Sequence, residues 1–212
     1  MTKIAEILHI AAISQVFLLS VFFLRYRRLP GYIPFALLAV SVIGLLSVAY
    51  LYLSDLVFRL PTMAVLGFPM VAAMGPLFYI GIRSVVQGKT LFKGTDIAFF
   101  LVPLFELGQL TPYFVSSHAD KVIYLREEFT YMHSDAILRC FLSTANNILF
   151  IGLAAARLIR RETSVEENSH SSEERKLLYF CFLLLVPFMK SFELGYPFLW
   201  KGRKSSACRR QA

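Results

Sequence analysis

Polar and ionisable side chains set inside long apolar stretches are the residues of this chain whose chemistry asks for an explanation. Glu106 stands in the middle of FFLVPLFELGQLTPYF, and Gln109 follows three residues later, close to one helical turn and so on the same side of a helix. An ionised carboxylate in hydrocarbon costs several kcal/mol by most estimates. Glu106 must therefore be protonated, paired, or turned toward a wet cavity. Asn146 and Asn147 in a second apolar stretch, and Lys190 in a third, have the chemistry to satisfy it. Such a group can bind a polar ligand or a proton, or it can fix packing through interhelical hydrogen bonds of about 0.6–2 kcal/mol. Lys190 and Glu193 are spaced i,i+3 and can neutralise each other on one helical face. His9 and Gln15 are lesser candidates, the histidine reading as an interfacial hydrogen-bonder.

Catalytic machinery is harder to find. His118, Asp120, Glu127, Glu128, His133 and Asp135 could ligate a metal chemically, but no spacing among them matches HExxH or another metal site. They read as solvated loop charges. A prenyl-protease EExxxR pattern would need arginine where Met132 stands. There is no Gly-x-Ser-Gly elbow, Walker loop or GxGxxG. Cys140, Cys181 and Cys208 form no CxxC pair and no even set, so neither a disulfide framework nor a zinc cluster is implied. The expectation is a protein that is not an enzyme, with no cofactor and no metal.

The elements that must position Glu106 follow from composition. Of 212 residues 57% are hydrophobic and 17% charged, with a mean hydropathy of +0.60; soluble domains average about 45–50% apolar and about 25% charged. The apolar residues fall in blocks of about 20, the length a bilayer core requires. A soluble α/β enzyme is excluded. Apolar stretches at 4–24, 32–54, 62–82, 97–116, 136–156 and, less regularly, 177–199 predict an all-α polytopic transmembrane helix bundle of about six spans, followed by a basic tail at 200–212. Pro69, Pro76, Pro103, Pro112 and Pro187 sit in or at the ends of these spans. Each removes a backbone donor and frees a carbonyl that neighbours or water must satisfy. Glu162–Glu174 reads as a flexible connection, and the loop 117–134 contains VIYLREEF, a short amphipathic or strand-like piece able to form a lid.

Basic residues set the orientation. Arg25, Arg27, Arg28, Arg83, Lys89, Lys93, Arg157, Arg160, Arg161, Arg175 and Lys176 follow odd-numbered spans, against Lys3, Arg59, Lys121 and Arg126 on the other side. The positive-inside rule places the N-terminus outside. The basic run Lys201–Arg210 conflicts with six full spans, because six spans beginning outside also end outside. A re-entrant last block or a missing seventh helix would resolve the conflict.

Met74–Phe114, MGPLFYIGIRSVVQGKTLFKGTDIAFFLVPLFELGQLTPYF, resembles the N-terminal membrane region of bacterial AraC-type transcription regulators. Gly75, Pro76, Leu77, Tyr79, Arg83 and Ser84 match a GPLLYxYxRS-like helix end, and Pro103, Glu106, Pro112, Tyr113 and Phe114 match a PFxxE…PYF-like helix. The resemblance implies a sensor of about seven helices in the bacterial inner membrane, joined to a cytoplasmic helix-turn-helix module. Its partners would be the lipid bilayer and a small-molecule or envelope signal, and a homodimer is compatible with it. The sequence departs from the family at Tyr196-Pro197 and Gly202–Ser205, which look like the linker into the DNA-binding module, because Ala212 follows before either helix of that module. A truncated or frameshifted reading frame would explain this, and no nucleic acid binding is expected of the chain itself. The rival expectation is a small transporter or channel subunit with Glu106 coupling a proton or cation.

Overall fold

The computed structural model describes residues 3–25, 30–54, 56–88, 92–130 and 134–164. The block expected at 177–199, with Lys190 and Glu193, and the tail at 200–212 lie outside the described residues. Among the described residues the protein is all-helical, without strands. Its helices are α1 (Lys3–Arg25), α2 (Tyr32–Leu53), α3 (Pro61–Gln87), α4 (Leu101–Gln109), α5 (Thr111–Val115), α6 (His118–Thr130) and α7 (Ser134–Ser164), with 3₁₀ segments at Leu56–Phe58 and Gly94–Phe100. Within α2, α3 and α7 the stretches Tyr32–Tyr52, Pro61–Gln87 and Leu138–Arg160 are long and apolar enough to cross a membrane, and α1 carries a shorter apolar stretch, His9–Arg25.

Helix α3 is the hub. It packs against α2, α4, α6 and α7, while α1 packs on α2. Helices α2 and α3 run antiparallel, with Phe35 at the start of α2 beside Gly81 near the end of α3. A Cβ at Gly81 would come within 2.8 Å of the Phe35 ring, so glycine sets that approach. Helices α3 and α7 run parallel. Arg139 lies over the Phe68 ring, Asn147 reaches Gly75, and Phe150 and Arg157 meet Tyr79.

The stretch expected to form one helix at 97–116 is instead a 3₁₀ segment, α4 and α5 in succession. Proline explains part of the break. Pro112 has no N–H, and its ring crowds the carbonyl of Gly108, so the helix stops at Gln109 and restarts with Pro112 in the first turn of α5. The segment still runs the whole length of α3 in the opposite direction. It starts where Asp96 bonds Arg83 and ends where the Tyr113 hydroxyl donates to the carbonyl of Pro61 at 2.8 Å. A 3₁₀ segment rises roughly 2.0 Å per residue against 1.5 Å for an α-helix, which lengthens the reach of a short segment.

The amphipathic piece of the loop 117–134 is helical, not strand-like. Its N-terminus is capped: the Asp120 N–H donates to Ser117 Oγ at 3.2 Å, and that hydroxyl donates back to the Asp120 carboxylate at 2.7 Å. Tyr113, Leu110 and Leu125 join Val57, Ala64 and Val65 in a small core beneath α6.

Large apolar side chains face outward as well as into the apolar core, while a few polar groups are buried. Phe17 and Leu18 on α1, Leu104 and Phe105 on α4, and Phe141, Ile148 and Leu149 on α7 are exposed, whereas Glu106, Arg139 and Asn147 are buried. Apolar surface outside and polar groups inside is what hydrocarbon solvent demands. Together with the three long apolar helices, it is consistent with a membrane protein.

Candidate functional site

The buried face of α7 carries Arg139, Ser143, Asn146, Asn147, Phe150 and Ala154, a spacing that keeps them on one stripe. The lower part of this stripe is bonded to α3 beside Pro76. Pro76 cannot donate to the carbonyl of Ala72, four residues back, and Asn146 Nδ2 donates to that carbonyl instead, at 2.9 Å. Asn147 spans the adjacent backbone pair. Its Nδ2 donates to the carbonyl of Val71 at 3.0 Å, and its Oδ1 accepts from the Gly75 N–H at 2.7 Å. In a regular helix Val71 and Gly75 would bond to each other. Only glycine fits here, since a Cβ at position 75 would lie 2.8 Å from the Asn147 Cα. Both asparagines are thus engaged with the α3 backbone, and no hydrogen bond between described residues joins either to Glu106. They are interhelical fasteners.

The upper part of the stripe faces Glu106. Its side chain is 1% exposed, and Oε2 has no hydrogen-bond partner among the described residues. The charge that acts on it is Arg139 of α7. That guanidinium is 5% exposed, donates through Nη2 to the Tyr124 hydroxyl of α6 at 3.2 Å, and lies 5.6 Å from the Phe68 ring centroid. Three helices therefore meet around one cation: α4 with a carboxyl, α6 with a phenol and α3 with an aromatic face. Gln109 does not join them. It is exposed at the end of α4, because three residues advance about 300° and leave it some 60° from Glu106 around the axis. Lys190 lies outside the described residues.

A second arginine–carboxylate pair ties the opposite end of the same segment to α3. Arg83 Nη1 donates to Asp96 Oδ1 at 2.7 Å and Nη2 to Oδ2 at 2.5 Å, and the Lys93 N–H donates to Oδ2 at 2.8 Å. Asp96 lies just outside the apolar stretch 97–116. Burial alone would raise its carboxyl, but the bonds from Arg83 and the Lys93 N–H outweigh that and hold it below the ordinary aspartate value. Tyr79 stacks beside this pair, with Arg83 at 5.9 Å and Arg157 at 5.3 Å from its ring centroid.

Arg139 and Asp96 were not among the residues singled out from the sequence. Arg139 carried a readable signal, since the rule that selects Glu106 applies equally to a guanidinium inside the stretch 136–156. Asp96 carried none: it precedes an apolar stretch as many solvated residues do, and its partner is 13 residues away. Among the described residues no group of three or more His, Cys, Asp or Glu side chains is placed to hold a metal. No protein-family model, no curated protein and no solved structure matches the chain.

Proposed function

We propose that this chain is the signal-sensing membrane part of a regulatory protein, similar to the membrane region of AraC-type regulators, and that Glu106 is its sensory residue. The observation that carries this reading is the buried Glu106 Oε2 without a hydrogen-bond partner among the described residues, faced by an arginine from another helix that is itself bonded to α6. A sensor needs no catalyst, only a site whose occupancy favours one packing of the bundle over another. In this reading about six spans cross the bacterial inner membrane with the N-terminus outside, the chain binds no nucleic acid itself, and a second copy is a compatible partner.

The test separates sensing from transport. The whole chain in proteoliposomes is assayed for proton and potassium flux. In parallel, the chain carrying a C-terminal dimerisation-dependent reporter is compared with Glu106→Leu in cells. The reading expects no flux that depends on Glu106 and a several-fold change in reporter output on substitution. A flux present in the parent and lost in Glu106→Leu would establish the transporter reading in its place.

A further inference from the structure

We propose that the ligand read at Glu106 is a proton, and that Arg139 changes partner between Glu106 and Tyr124 as the proton leaves and returns. The inference rests on the reading of Glu106 as the sensory residue. Arg139 is a buried cation whose charge acts on Glu106 of α4, a helix packed against α7, and in this structure it donates to Tyr124 of α6 while Glu106 Oε2 accepts nothing from the described residues. That arrangement suits a neutral carboxylic acid, which makes no demand on the guanidinium. Loss of the proton would create a buried anion, and an unpaired buried charge costs more than any other state of the site. The nearest remedy is Arg139. Drawing the guanidinium toward α4 weakens its hold on Tyr124 and so loosens α6 from α7.

Among the groups whose side chains are described, several on the surrounding helices have partners elsewhere. On α3, Arg83 is bonded to Asp96 at the far end, and the ring facing Arg139 is that of Phe68. On α6, Lys121 donates to the carbonyl of Phe114 at 3.0 Å, Asp120 is held by Ser117, and Arg126 lies over the Phe58 ring. On α5, the Tyr113 hydroxyl is spent on the Pro61 carbonyl. Along α7 the neighbouring buried polar groups with described side chains are the neutral Ser143, Asn146 and Asn147. Tyr124 accepts from Arg139 in this structure, and a proton leaving Glu106 adds a buried anion that draws on the same cation.

The experiment uses the full chain in lipid nanodiscs, titrated from mildly acid to mildly alkaline buffer. Infrared difference spectra read the protonated carboxyl band. A nitroxide pair at the exposed positions Ile123 on α6 and Phe141 on α7 reads the distance between those helices, with Cys140, Cys181 and Cys208 replaced by serine. In the parent, the band and the distance change with one midpoint. Glu106→Gln loses the band and flattens the distance change; Tyr124→Phe keeps the band and loses the distance change. Glu106→Asp retains a titrating carboxyl and moves both midpoints together, so the result does not depend on one variant folding. A distance change that persists unaltered in Glu106→Gln overturns the proton inference and leaves the sensory reading standing. The flux measurement decides that reading separately.

Discussion

Two buried carboxylates on the segment 94–115 each have an arginine acting on them from a neighbouring helix, and the two arrangements are built in opposite ways. At one end Arg83 and Asp96 meet fork to fork, with a backbone N–H completing the carboxylate's bonds. At mid-depth Glu106 feels Arg139 but takes no hydrogen bond at Oε2 from the described residues, and Arg139 spends a donor on Tyr124 instead. Both places set a carboxyl against a guanidinium. The number of bonds made between the partners separates a fixed joint from an adjustable one: a bidentate pair has one geometry, whereas a carboxyl that takes no bond from the arginine acting on it has an alternative.

Removing one partner of the satisfied pair should have the largest effect. Asp96→Asn leaves a buried guanidinium without its counter-charge and is expected to cost about 3–5 kcal/mol, read as reduced resistance to unfolding in detergent. Replacing both, Arg83→Met with Asp96→Leu, should recover most of that loss, because an apolar pair of similar volume is often no worse than a buried ion pair. The same joint predicts an acid limit. The folded Asp96 carboxyl lies below its ordinary value, so its contribution is complete above the unfolded value of about 3.9 and is lost as pH falls through the lower folded value. A chain whose acid stability matches that of Asp96→Asn throughout would mean that the pair contributes nothing.

Next come the asparagines, which sharpen the contrast between groups that can re-pair and groups that cannot. Asn146→Ala strands the carbonyl of Ala72, which has no donor within α3 because Pro76 lacks an N–H; the expected cost is about 2 kcal/mol. Asn147→Ala removes one donor and one acceptor from Val71 and Gly75, a pair that helix geometry bonds to each other, and should cost only about 0.6 kcal/mol. Equal losses would show that the proline-freed carbonyl finds another donor. Between these two lies Glu106→Leu, at about 1 kcal/mol, since Oε2 has no donor to lose and only the field of Arg139 is removed. A loss as large as that of Asp96→Asn would erase the distinction between the two joints.

The parts of the fold readable in the sequence were those written as uninterrupted apolar length. The stretches 4–24, 32–54, 62–82 and 136–156 each become one helix, with ends shifted at most by several residues. Where prolines interrupt, the stretch 97–116 marks the path but hides the break, because a proline signals a missing bond without saying whether a neighbour repairs it. Pro76 lies inside an unbroken α3 with its freed carbonyl bonded by Asn146, whereas at Pro112 the helix restarts. VIYLREEF looked partly strand-like for its aromatic and β-branched residues, and the helix signal lay upstream, in the Ser117–Asp120 cap. Glu106 was legible as a lone carboxylate in a run of apolar residues. Its real neighbour, Arg139, sits so near the start of its stretch that it resembled a flanking charge, and the pairing of helices that joins them leaves no trace in local spacing.

The bonding of Asn147 across the Val71–Gly75 backbone has a mechanical consequence. It pins α7 to α3 near the middle, with Arg139 roughly 12 Å to one side and Arg157 roughly 15 Å to the other at 1.5 Å per residue. A rod held at such a point behaves as a lever with nearly equal arms. A sideways push where Arg139 meets α4 and α6 would return, reversed in direction and little changed in size, where Arg157 rests on Tyr79. Spin labels at Phe141 and Ile159 that shifted the same way relative to α3 would refute the fulcrum. If they shift oppositely, a stroke of an ångström at the buried carboxyl arrives at the other end of the helix as a stroke of about the same length, with no intermediate part required to carry it.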